Sequence, residues 1–189
     1  GIITGDNKEF LRLWQEISSS KIEFGVQSVE ESITRQNSWF PCNKGGSARK
    51  WYGNNEWVIN WENDGENVFR NAEEKGRHAQ NYYSHLKFKP CISWSSVSST
   101  KPMFRYKSND LVEHAGMAYF CNKLENSLKN VAFLNSAVTT KILELVSPTL
   151  NLNAGDVDVI PYLSTIDGID LIEELAQSNI EVSKLDWDS

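Results

Sequence analysis

The sequence predicts an α+β fold, with a sheet-rich middle and helices at both ends, most clearly a C-terminal amphipathic helical segment. Three observations carry this expectation. Between Trp39 and Phe120, short runs alternate large apolar with polar residues, the period of a half-buried strand. Turn signals, Asn63-Asp64-Gly65 and a serine-rich stretch after Trp94, separate those runs. Further on, Leu128, Val131, Leu134, Val138, Ile142 and Leu145 recur at steps of three and four, the period of one helix face.

Taken in order, Asp6 or Asn7 supplies an N-cap, and Phe10, Leu11 and Trp14 fall at helical spacing, so a helix is expected over about residues 8–17. Residues 18–38 are polar and read as loop with some local helix. Residues 39–46 enter a turn, and 56–61 form a strand whose alternation puts Trp57, Ile59 and Trp61 on one core-facing side. Residues 66–86 read as polar and irregular, 89–107 as two strands joined by the serine-rich turn, and 111–120 as one further strand holding His114. The helical stretch from Glu125 breaks near Asn135-Ser136 and stops at Pro148. Residues 150–163 read as extended, and a last helix is expected over about residues 168–177, after Asp167.

Composition bounds the function. At 189 residues, 40% hydrophobic and 23% charged, the chain is long enough for a real core. No apolar run reaches the roughly 18 residues of a membrane span, and no leader precedes Gly1, so a cytoplasmic protein is expected. Cys42, Cys91 and Cys121 are odd in number and widely spaced, which fits free thiols and argues against a disulfide framework or a zinc site. His78, His85 and His114 are too scattered to suggest a metal cluster.

The net charge of −6 is unevenly spread. Residues 152–189 hold nine acidic and one basic residue, whereas residues 44–105 hold ten basic and six acidic. A central basic field of this kind can attract a polyanion even at a pI near 5.

Catalytic signatures are missing. There is no G-x-G-x-x-G or P-loop, no H-E-x-x-H and no G-x-S-x-G elbow. Glu62 and Asp64 read as a solvated pair, or as partners of Arg49 or Lys50. No catalytic, cofactor-binding or metal-binding residue is therefore assigned. What remains suits binding, and its basic and aromatic residues around glycines point to nucleic acid. Gly45 and Gly46 permit tight turns that bring backbone N–H groups near a ligand. Lys44, Arg49, Lys50, Lys101 and Arg105 supply cations for phosphate, and an arginine can also fork onto guanine. Asn54 and Asn55 match an adenine edge, Tyr52 adds an aromatic face, and Ser95, Ser96, Ser98 and Ser99 offer hydroxyls to phosphate or bases. Trp57 and Trp61 are assigned to the core.

The stretches TGDNKEFLRLW (4–14), WFPCNKGGSARKWYGNNEWVINWENDG (39–65), ISWSSVSSTKPMFRY (92–106), SPTLNLNAGDVDVIPY (147–162) and LDWDS (185–189) carry a resemblance in their order. Together they resemble the region after the catalytic domain in PglX-type adenine-specific DNA methyltransferases of BREX phage-defence systems, and in related restriction-modification enzymes. The resemblance implies a target recognition domain over residues 1–163, with 164–189 an acidic helix opening the next segment. It also implies a parent enzyme that binds S-adenosylmethionine outside this region. The Asn-Pro-Pro-Tyr/Phe motif and the glycine-rich cofactor loop of such enzymes are absent from the sequence, so the chain is expected to be a non-catalytic fragment. The alternative from a different class is a protein-interaction module, docking a defence-complex subunit or a DNA-mimic inhibitor. A tryptophan-rich carbohydrate binder is a weaker third, disfavoured by free cysteines without a leader.

Overall fold

A computed structural model describes residues 1–77, 84–98, 101–121, 124–147, 149–161 and 168–189. The mixed α+β class holds, and the chain divides into two compact units. Unit one comprises Gly1–Lys44, Asn54–Lys89 and Ser108–Gly116; unit two comprises Gly45–Gly53, Pro90–Lys107 and Met117–Ser189.

Unit one is built on a four-stranded sheet. Its strands are β1 (Leu11–Leu13), β2 (Trp39–Asn43), β3 (Trp57–Asn60) and β6 (Leu111–Val112), ordered β1-β3-β2-β6. β3 runs antiparallel to both neighbours, with Ile59 opposite Leu11 and Phe40, and β2 pairs with β6 in parallel. Three helices join it: α1 (Asn7–Phe10), α2 (Val29–Thr34) and α3 (Glu62–Glu74). The core gathers Ile2, Phe10, Leu11, Phe40, Ile59 and Trp61 with Val68 and Phe88.

Several expectations need correction here. The N-terminal helix stops after one turn. Asp6 does cap it, accepting from the Lys8 and Glu9 amides, but Leu11 then turns extended to pair with β3. Sheet pairing overrides the helical spacing, because Phe10 and Leu11 are buried while Trp14 stays exposed. Trp57, Ile59 and Trp61 do meet the same core, as the alternation predicts, but unequally: Ile59 and Trp61 are sealed while Trp57 packs against the core half-buried, and Val58, next along the strand, is sealed as well. Residues after Gly65 are helical rather than irregular, because Val68, Phe69 and Ala72 suffice to hold one side of α3 against the core. The Asn63-Asp64-Gly65 turn is real, with all three residues left-handed at φ 50, 54 and 80°.

Unit two holds a three-stranded sheet, β5-β4-β7, from β4 (Cys91–Ser95), β5 (Arg105–Lys107) and β7 (Gly116–Phe120). β4 and β5 are the expected antiparallel pair, with Ile92 opposite Tyr106. The expected single strand over 111–120 is instead β6 and β7 in different sheets, separated by a turn in which His114 is exposed. The glycine that opens β7 is required by packing, since a Cβ on Gly116 would lie 2.4 Å from the Asn43 carbonyl oxygen.

Among the described residues, four α-helices complete unit two. α4 (Leu124–Leu134) and α5 (Ala137–Val146) are divided where expected, Ser136 capping α5 through the Thr139 amide. α6 (Ala154–Asp158) replaces the expected extended segment, nucleated by a capping box between Asn153 and Asp156. α7 (Ile169–Asp188) runs well past Gln177, because Ala176 and Ile180 bury a continuing face and Lys129 of α4 pairs with Glu173 at 2.8 Å. Pro148, Asp167 and His78 lie outside the described residues. Cys42, Cys91 and Cys121 form no disulfide, and no metal-binding cluster occurs among the described residues.

Candidate nucleic-acid interface

The predicted binding residues fall in both units. Lys44, Asn54 and Asn55 belong to unit one. There, Lys44 is half-buried with its Nζ 4.0 Å above the Trp57 ring, a cation–π contact that accounts for the tryptophan's partial cover. Asn54 is 1% exposed and left-handed at φ 57°, and Asn55 is half-buried. Asn54 thus sits in the interior, where its conformation serves the turn.

In unit two the segment Gly45–Gly53 is shaped by left-handed residues: Gly45 (φ 81°), Gly46 (φ 124°), Trp51 (φ 70°) and Gly53 (φ 119°). Trp51 pays the steric cost of that conformation because its backbone is fixed on both sides: its N–H donates to Phe104 O at 2.9 Å, and its carbonyl accepts from Tyr106 N at 2.8 Å. Trp51 thereby extends the sheet beside β5. Ser95 Oγ donates to the Gly46 carbonyl at 2.8 Å.

Arg105 lies beneath this segment and is 1% exposed. Its guanidinium donates to the Arg49 carbonyl and to Ser95 Oγ, both at 3.4 Å, and no hydrogen-bond partner for Nε occurs among the described residues. Burial pushes its pKa down to about 10, which still leaves it charged at neutral pH. Arg105 therefore acts on the loop from inside.

The more exposed cations have partners as well. Arg49 forms an ion pair with Asp186 and stacks 4.9 Å from the Trp187 ring centroid, both on α7. Gly53 lies against the same pair, so a Cβ there would come within 2.9 Å of both the Arg49 side chain and Trp187. Lys50 donates to the Asn135 carbonyl at 3.1 Å, at the C-terminal end of α4 where a cation complements the helix dipole. Asn135 in turn binds both backbone groups of Phe104, through Oδ1 and Nδ2. Lys184 lies 6.0 Å over the half-buried Tyr52 ring. Lys101 pairs with Glu144 at 3.3 Å; hydrogen bonds from Lys141 first and then Lys101 hold the Glu144 carboxyl below its usual range.

A cleft of about 270 Å³ joins several predicted residues to ones that periodicity did not reveal. Ser95, Ser98 and Lys101 line it together with Ser147 and Thr149. Ser96 is half-buried beside them, its carbonyl accepting from Leu152 N, and Ser99 lies outside the described residues. The structure thus brings Gly46, Arg49, Lys50, Ser95, Ser98, Lys101 and Arg105 into one unit.

Sequence reasoning missed two groups. Lys87, wholly buried in unit one, donates to both carboxylate oxygens of Asp64 at 2.7 and 2.9 Å, and Trp61 Nε1 donates to the same carboxylate at 3.0 Å. Asp64 is thus paired with Lys87 rather than with Arg49 or Lys50. The other group is the Asp186-Trp187 end of α7, for which the excess of acid over residues 152–189 was the available signal.

No helix among the described residues is long and apolar enough to cross a membrane. No family model matches the chain. Over its full length the chain is 39% identical to the adenine-specific methyltransferase PglX of Lacticaseibacillus casei (strain Zhang), of which the match covers 16%. Over 94% of its length it is 36% identical to the adenine-specific methyltransferase BrxX of Escherichia coli O9:H4 (strain HS), of which the match covers 14%. The chain therefore spans about a sixth or less of the curated relatives it matches. It is homologous to a part of the adenine-specific methyltransferases PglX and BrxX.

Proposed function

We propose that this chain is a DNA target recognition region of a bacterial adenine-specific methyltransferase, serving phage defence or restriction-modification. The observation that carries the proposal is the full-length match to a limited part of PglX and BrxX by a sequence lacking the Asn-Pro-Pro-Tyr/Phe motif and a cofactor loop. A part of such an enzyme without transfer chemistry is best employed in holding and selecting DNA, while S-adenosylmethionine is bound elsewhere in the enzyme. In unit two, Arg49, Lys50 and Lys101 supply phosphate contacts and the serines of the cleft supply hydroxyl donors.

The ion pairs give this surface a specific electrostatic character. Exposed pairs such as Lys101–Glu144 are screened by solvent, so a phosphate can compete for the cation at small cost. One observation favours a second reading, a protein-docking module: Arg49, Lys50 and Lys101 all have partners within the chain. A salt series with fluorescent duplex DNA separates the two. We expect dissociation constants of about 10⁻⁴–10⁻⁶ M and a steep loss of affinity as salt rises. No duplex binding at low salt, or binding that ignores salt, overturns the DNA reading.

A further inference from the structure

We propose that the outer face of α7 is a docking seam for a basic amphipathic helix supplied from outside these 189 residues. The inward face of α7 is already occupied, with Ala176 1% and Ile180 7% exposed inside the core of unit two. Its apolar residues on the other side are not: Leu171, Leu175, Val182 and Leu185 are 58, 54, 63 and 74% exposed. With Ser178 they follow one another at steps of four, three, four and three residues, the a/d spacing of a coiled-coil seam. From Leu171 to Leu185 that seam is about 21 Å long at the helical rise, enough for a helix of several turns to lie along it. Four apolar side chains in one stripe on an otherwise acidic helix are an unusual exposure for a solvated face.

One edge of the stripe states what fits it. Glu174, Glu181 and Asp188 are seven residues apart, all exposed, and occupy the same flanking position of each heptad. An antiparallel second copy would set these acidic edges against each other, which disfavours self-pairing. An anionic lipid surface meets the same repulsion. A helix with apolar residues at a and d and Lys or Arg beside them satisfies both the stripe and its edge. This chain's neighbouring helices do not provide one, since α4 carries Lys129 already paired with Glu173, and Lys141 of α5 is paired with Glu144.

The test is calorimetry of the 189-residue protein with a synthetic helix of about three heptads, carrying Leu at a and d and Lys at e and g. Two controls accompany it: a twin with Glu at e and g, and a peptide of the first composition with its leucines scattered. A Val182→Gln, Leu185→Gln protein serves as the second arm, because both residues are exposed and their replacement leaves the fold intact. We expect one-to-one binding of the Lys peptide, tighter by about tenfold or more than either control, and a comparable loss in the double variant. Absent binding, equal binding of the scattered peptide, or dimerisation of the protein that disappears in the double variant each overturns the proposal.

Discussion

Lys87 in unit one and Arg105 in unit two are both cations sealed from solvent, yet they are held in opposite ways. Lys87 meets a full counter-charge, with both Asp64 oxygens within 2.9 Å and the Trp61 and Phe69 rings packed near its ammonium. Among the described residues Arg105 meets only a carbonyl and a hydroxyl, each at 3.4 Å, and neither is a counter-charge. A buried ion pair binds two elements into one geometry, here the left-handed 63–65 turn to the chain before β4. A buried cation held by neutral dipoles instead projects a positive field through the thin loop above it. The first arrangement belongs to structure, and the second accords with the DNA contacts proposed above.

Removing one partner of the closed pair should produce the largest effect. Asp64→Ala leaves Lys87 buried and unpaired, so a loss of about 3–5 kcal/mol is expected in urea unfolding. Replacing both partners, Asp64→Ala with Lys87→Met, should restore most of it. If the single variant unfolds like the parent, Lys87 is not the keystone of unit one.

Trp61 sharpens the same contrast. It is 1% exposed, anchors the core and donates to Asp64, so Trp61→Ala should cost about 3–5 kcal/mol. Trp57 is only half-buried beneath Lys44, and Trp57→Ala should cost less, about 1–2 kcal/mol. Equal losses in parallel denaturation curves would mean that β3 buries its two tryptophans alike.

Arg105 should respond differently from Lys87. Arg105→Met keeps much of the volume while removing a charge that has no carboxylate partner among the described residues, so stability should change by less than about 1.5 kcal/mol. The Gly45–Gly53 amides should nevertheless exchange faster with deuterium, since the Arg49 carbonyl loses its inner donor. Unchanged exchange at those amides would remove Arg105 from any role in shaping the loop.

Much of this was legible in the sequence because it is local. The Asp6 cap, the 63–65 turn, the β4–β5 pair and the α4–α5 break each depend on neighbouring residues whose chemistry has few alternatives. What escaped depends on distant partners. Leu11 becomes a strand only because Ile59 lies opposite, and α7 continues beyond Gln177 because Ile180 finds a core. The candidate site divides in the same manner. Its residue types were visible in the central basic field, but burial of Asn54 and Arg105 was not, since polar side chains enter an interior only when tertiary partners receive them.

The smallest expected stability effect is at Arg49, and it bears most directly on function. Its ion pair with Asp186 joins a guanidinium side chain 29% exposed to a carboxylate 70% exposed, so solvent screens it and its loss should cost roughly 0.2–1 kcal/mol. The stacked Trp187 ring adds a contact that Arg49→Lys would keep only in part. Melting of Arg49→Ala should therefore stay close to that of the parent protein. Duplex binding should weaken, with the salt slope reduced by about one if Arg49 holds a single phosphate. Asp186→Asn separates phosphate contact from mere packing: it frees the guanidinium while keeping the stack, and so should tighten duplex binding at low salt. A variant pair in which Arg49→Ala binds DNA like the parent and Asp186→Asn changes nothing would assign Arg49 to holding α7 in place and leave the DNA contacts to Lys50 and Lys101.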